Sequence, residues 1–169
     1  MKKMLLPSMV LMLAFVLCAP TADAQGGVRS GPDPSTIRDP DLEKDSLHNL
    51  EVARNYFKLK KAYVAALKRC EEIIAGNPNF AKIEEVLFIA GESSLSLAEN
   101  KGKQSPSLYV TYDGNTKRTL TSEQFREMGR DYLTRLVSDY PNSEFSKQAV
   151  DDLRALGGPK QKTAEATKQ

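Results

Sequence analysis

Few residues in this chain have the type and spacing that catalysis or metal binding requires. His48 is the only histidine. A metal centre or a His-based catalytic pair needs partner ligands at defined spacings, and none accompanies it, so His48 reads as a solvated or groove residue. Cys70 falls on the apolar side of an amphipathic stretch. A nucleophilic thiol needs exposure and a lowered pKa, so Cys70 reads as a buried structural thiol. The adjacent acids Glu71-Glu72, Glu84-Glu85 and Asp151-Asp152 point in different directions on a helix, and they read as solvated faces rather than paired acids. Lys58, Lys60, Lys61, Lys68 and Arg69 form a basic cluster. Cations near a helix C-terminus complement its dipole, and Lys68 and Arg69 read as solvent-side on the next helix. Nucleic-acid binding would call for interleaved aromatics and a strong positive charge, whereas the formal net charge is +2. Contact with an acidic partner or lipid headgroups is the role left open for the cluster. The expectation is therefore no catalytic residue, no cofactor, no metal, no nucleic acid and no enzymatic activity.

The elements that would carry these side chains are helical. Leu47, Leu50, Ala53 and Phe57 share one face at i, i+3, i+4 spacing. A second helix carries Ala62, Ala66, Cys70, Ile73 and Ile74 and stops at Gly76-Asn77-Pro78. The short turn between the two, around 58–61, predicts antiparallel packing. A third helix is expected from about Asn79 to Ala98, with Ile83, Val86, Leu87, Ala90 and Leu95 inside. Residues 101–121 break the pattern: LYVTY, an Asp-Gly turn and TKRTLT predict a β-hairpin at 108–121. An isolated hairpin is marginal, so this one either lies against the helices or stays mobile. Thr121 and Gln124 then form a capping box, with Leu120 and Phe125 as its hydrophobic staple. They open a fourth helix with Met128, Leu133, Leu136 and Val137 inward, ended by Pro141. A fifth helix follows from about Ser143 to Leu156, with Phe145, Ala149, Val150, Leu153 and Leu156 inward.

The ends of the chain read differently. Residues 1–24 have a Lys2-Lys3 start, an apolar run over 5–17 and an Ala22-Asp23-Ala24 close, the layout of a secretory signal. Cleavage after Ala24 is preferred to lipidation at Cys18, because a lipoprotein signal wants a small residue before the cysteine and this chain has Leu17. Cys70 then stands alone, and an internal disulfide is excluded. Residues 25–44 read as a flexible linker, 45–156 as one helical domain with an insertion at 101–121, and 157–169 as a disordered tail.

An internal repeat emerges. AYVAALKRCEEIIAGNPN (62–79) aligns without a gap on FREMGRDYLTRLVSDYPN (125–142). Ala66 falls on Gly129, Cys70 on Leu133, Ile73 on Leu136, Ile74 on Val137 and Pro78 on Pro141. A glycine inside a helix costs about 1 kcal/mol against alanine, so Gly129 should have a packing reason. Leu50, Ala53, Phe57, Tyr63, Ala66 and Pro78, then Leu87, Ala90, Gly91, Gly129 and Pro141, resemble the tetratricopeptide repeat, a helix–turn–helix of about 34 residues. The hairpin would be an insertion between the two helices of the second unit. YFKLKKAYVAALKRCEEIIAGNP and DYPNSEFSKQAVDDL are similar to repeats of periplasmic proteins of the BamD type, scaffolds of outer-membrane β-barrel assembly. The resemblance covers about 46–100 and 122–156. It implies an all-α, tetratricopeptide-like fold of about five helices and two and a half repeats, the fifth helix packing as a half-repeat or cap.

It also implies a binding face built by the first helix of each pair. Carried over by position, that face comprises His48, Glu51, Asn55 and Lys58 from the first unit and Glu85, Phe88 and Glu92 from the second. Phe88 could serve there as a partly exposed aromatic anchor or pack on the fifth helix or hairpin. The implied function is a non-enzymatic, exported protein-binding scaffold in the periplasm. Its partners would be other proteins, outer-membrane assembly components among them, and it would reach the membrane through those partners. A periplasmic adaptor in envelope or cell-wall maintenance, and an accessory subunit of a secreted enzyme with the hairpin as docking element, are the alternatives. Oligomeric state is open, since the repeats leave an end face that a second copy could cover.

Overall fold

The computed structural model describes residues 38–159. Residues 1–24, read as a secretory signal and including Cys18, residues 25–37 of the segment read as a linker, and residues 160–169 of the segment read as a tail lie outside the described residues. Among the described residues, five α-helices and one two-stranded hairpin follow in chain order. Each helix packs on the next one in sequence, most extensively α3 on α4, and α1 also touches α3.

The first helix, α1, spans Pro40–Arg54 and so begins inside the segment read as linker. Asp39 explains the early start. Its carboxylate accepts from the Asp41 and Leu42 amides, Pro40 needs no amide partner, and Asp41 and Glu43 favour the positive end of the dipole. Leu50 and Ala53 are buried, as their spacing predicts, whereas Leu47 is exposed. The turn expected around 58–61 forms at the end of that range. The helix widens into a π-helical turn over Asn55–Lys60, and the chain reverses at Lys61, which has a left-handed backbone (φ 52°).

The second helix, α2, spans Tyr63–Gly76 and buries Val64, Ala66, Leu67, Cys70 and Ile73. Beyond it, Asn77 is buried and its side-chain amide donates to Glu43 (3.1 Å) and Ser46 (3.2 Å). The other Glu43 oxygen accepts from the Ala81 amide at 3.2 Å. These bonds fasten the α2–α3 loop to α1. The third helix, α3, spans Ile83–Ala98. It starts later than the apolar pattern suggests because 79–82 form turns around the buried Phe80. It is buried on nearly every side, as a central helix must be.

The insertion is docked at its root. Strand β1 (Val110–Asp113) pairs antiparallel with β2 (Thr116–Thr119), with Val110 opposite Thr119 and Asp113 opposite Thr116. Gly114 (φ 59°) supplies the positive φ that the two-residue turn needs. Both strands are largely exposed. Tyr109, just before them, is buried and meets the Phe125 ring edge-on at 5.4 Å. Upstream, the Lys103 amide donates to the Lys61 carbonyl at 2.9 Å, and Gln104 accepts from the Ala65 amide at 3.0 Å. Helix α2 has no side-chain cap of its own, so the insertion provides one.

The fourth helix, α4, spans Ser122–Asp139 and carries the expected capping box: the Gln124 amide donates to Thr121 Oγ1 and the Thr121 amide to Gln124 Oε1. Phe125, Gly129, Leu133 and Leu136 are buried. The fifth helix, α5, is Ser146–Ala155, shorter than the pattern predicts because 143–145 form a turn. Ala149 and Leu153 face inward, but Val150 is exposed. Its apolar side chain belongs to the outer surface of α5, which no further helix covers among the described residues. Gly157 and Gly158, both at positive φ, end α5, with the Gly158 amide returning to the Leu153 carbonyl at 2.8 Å.

Candidate functional site

The outer side of α1 and its π-helical extension form a shallow depression of about 360 Å³ lined by His48, Glu51, Val52, Asn55, Tyr56 and Lys60. Helical spacing brings His48, Glu51 and Asn55 together, three of the four groove residues expected from the first unit. Lys58, the fourth, is exposed and does not line the depression. Lys60 lines it instead, its ammonium 4.8 Å from the Tyr56 ring centroid, within cation–π range. The mixture of an imidazole, a carboxylate, an amide and a ring-held cation suits a polar peptide surface rather than an apolar ligand.

The three expected residues of α3 are engaged internally. Glu85 accepts a two-pronged contact from Arg54: Nε donates to Oε1 at 2.6 Å, and Nη2 donates to Oε2. That bond raises the Arg54 pKa and fastens α1 to α3. Phe88 is buried and stacks on Phe145 at 4.9 Å and 21°. Of its two expected roles it takes packing on the fifth helix, because the turn before α5 lays Phe145 flat across it. Glu92 meets Asp152 of α5, and burial together with that carboxyl pushes its pKa up to about 7. None of these three lines the depression on α1.

Adjacent acids divide between solvent and interior in a way that the solvated-face reading missed. Glu72 pairs with Arg69 and Asp151 with Arg154 at the surface. Glu71, Glu85 and Asp152 turn toward neighbouring elements. Glu71 Oε1 accepts from the Tyr109 hydroxyl at 2.6 Å and from the Tyr132 hydroxyl at 3.4 Å. Burial raises the Glu71 pKa, and the two hydroxyls partly offset that. The carboxylate raises both tyrosine pKa values further beyond the effect of burial. The cluster joins α2, the hairpin root and α4. Its only sequence signal is Glu71 lying next to the inward Cys70, at the border of the apolar face.

Comparison with protein-family models, curated proteins and solved structures gives no match for this chain. Its site must therefore be read from its own side chains. Cys70 is buried, and desolvation, reinforced by Glu71 and Glu85, drives its thiol pKa far up, which makes it a packing residue. Among the described residues no cluster of three or more His, Cys, Asp or Glu could hold a metal ion, and no helix is long and apolar enough to cross a membrane.

A second depression, of about 530 Å³, lies on the outer side of α4 and α5 and is lined by Val137, Val150, Leu153, Arg154, Gly157, Gly158 and Pro159. Sequence reasoning did not assign it. The signal that could have found it is Val150, an apolar residue adjacent to the inward Ala149 on a terminal helix.

Proposed function

We propose that this chain is an exported, non-enzymatic scaffold that binds other proteins through tetratricopeptide-like helix pairs, α1 with α2 and α3 with α4, α5 being a capping half-repeat. The observation that carries the reading is that Ala66 and Gly129, aligned by the internal repeat, are both buried in the second helix of their pair. Ala53 and Ala90 are likewise buried in the first helices. Small residues let helices approach closely, and a helix pair with one apolar face buries it by stacking a neighbour. The hairpin falls between the members of the second pair, where the repeat places an insertion. The depression on α1 then offers the binding face, and binding rests on a preorganised surface rather than on chemistry.

The setting proposed is the periplasm, with partners drawn from outer-membrane β-barrel assembly by resemblance to BamD-type proteins. Affinity capture from envelope extracts tests it. Recovery of assembly components, lost on combined His48→Ala, Glu51→Ala and Asn55→Ala substitution, supports the reading, and their absence removes it. Intact mass of the exported protein tests the leader: a chain beginning at Gln25 is expected, and a diacylated Cys18 overturns it.

One observation favours the accessory-subunit alternative. The hairpin displays Tyr112, which is 72% exposed, and Leu108 precedes the strands at 57%, as a docking element would. A stoichiometric enzyme partner lost on Tyr112→Ser would establish that reading; capture of cell-wall proteins instead would favour an envelope adaptor.

A further inference from the structure

The seam between α3 and α5 holds two acids that face each other. Glu92 and Asp152 lie within hydrogen-bonding reach, yet Glu92 Oε1 and Asp152 Oδ2 are both buried and neither meets a donor among the described residues. Two ionised carboxylates repel at that separation, while one proton between them turns the contact into a hydrogen bond. One turn earlier on α3, Phe88 stacks on Phe145 across the same seam. We propose that Glu92 and Asp152 form a proton-sharing latch that holds α5 against α3, and that loss of the proton loosens α5 and uncovers Phe88.

The charged groups around the pair come from α3, α4 and α5. On the α3 side, Glu99 adds negative potential and Lys101 offsets part of it. On α4, Arg130 donates through its two terminal nitrogens to Glu127 and to the Leu156 carbonyl, while its Nε is buried without an acceptor among the described residues. On α5, Asp151 is paired with Arg154. Burial is the main reason that the Glu92 pKa rises to about 7, and Asp152 adds to it. A carboxyl raised in this way contributes stability below its ordinary pKa, and that contribution is lost as pH rises through about 7. Helix α5 is suited to respond. It has 10 residues, too few to persist alone, and no further helix covers its outer face among the described residues. It packs chiefly on α4, and the buried Ala149 and Leu153, the Arg130 bond and the acid pair help to hold it. The latch thus converts a neutral-pH titration into access to a stacked aromatic pair.

Carbon-detected NMR titration of the Glu92 carboxyl, with amide hydrogen exchange across α5, tests this in the intact protein. The carboxyl is expected to titrate near neutrality. Between about pH 5.5 and about pH 8.5, α5 amides corrected for intrinsic rate should exchange roughly tenfold faster relative to α3, less than the pKa shift would allow because solvent reaches the pair. Glu92→Gln should abolish that pH response, and Asp152→Asn should weaken it, because burial of Glu92 remains. A Glu92 carboxyl titrating in the ordinary carboxylate range, or an unchanged α5 response in both variants, overturns the proposal.

Discussion

Gly91 and Gly129 meet where α3 crosses α4. A Cβ on Gly129 would lie 3.1 Å from the Gly91 carbonyl oxygen and 2.7 Å from Leu95 Cδ2; one on Gly91 would lie 2.6 Å from Leu133 Cδ2. Each helix gives up a side chain so that a leucine of the other can fill the space, and this is the packing reason that a glycine inside α4 calls for. Gly129→Ala should gain about 1 kcal/mol of helix propensity and lose about 1–3 kcal/mol to overpacking, a net destabilisation, with Gly129→Val worse. Gly76, with nothing within 4 Å of its Cβ position, is the control, and Gly76→Ala should be neutral or stabilising. Urea unfolding of the three variants measures the difference.

Gln104 ties the insertion to α2 by accepting from the Ala65 amide. Gln104→Ala should cost about 1 kcal/mol, as loss of a helix cap does. Amide exchange should quicken in the first turn of α2, although the substitution lies 39 residues away in sequence. Uniform exchange across the molecule would count against a capping role.

Tyr109→Phe removes the shorter of the two donors to Glu71. The loss should cost about 1–2 kcal/mol, and it should change the pH dependence. Glu71 already has a raised pKa, and the Tyr109 bond works against that rise. Without it the carboxyl climbs further. Stability is then retained below the ordinary carboxylate pKa and lost as pH increases above it, more steeply than in the wild type. Thermal unfolding of both proteins over a pH series checks the sign.

Cys70 should resist thiol reagents in the native state and react fully in denaturant, since it is buried and its thiol pKa is far above the ordinary value. Labelling kinetics on a chain beginning at Gln25 test this. Rapid native labelling would mean that the core around α2 opens readily.

Patterns local to a segment were legible. Apolar spacing located all five helices, the Asp-Gly turn located the hairpin, and Thr121 with Gln124 located the start of α4, because helix period, turn backbone and capping depend on residues a few positions apart. Helix ends were less legible. Asp39 pulled α1 back to Pro40, while turns around Phe80 and Phe145 delayed α3 and α5, since a cap or a buried ring near a terminus outweighs apolar periodicity.

The residue-by-residue projection of a binding face fared unevenly for the same reason. His48, Glu51 and Asn55 share a helix face by spacing alone, and they line one depression. What Glu85, Phe88 and Glu92 do depends on Arg54, Phe145 and Asp152, which lie 31, 57 and 60 positions from them in the chain. The sequence by itself determined where helices form and which side of each is apolar, because both follow from local periodicity. Only the tertiary structure decided which polar groups become partners, that Gln104 caps a distant helix, and that two acids meet at the α3–α5 seam. Those pairings depend on how helices cross, and local spacing carries no record of the crossing.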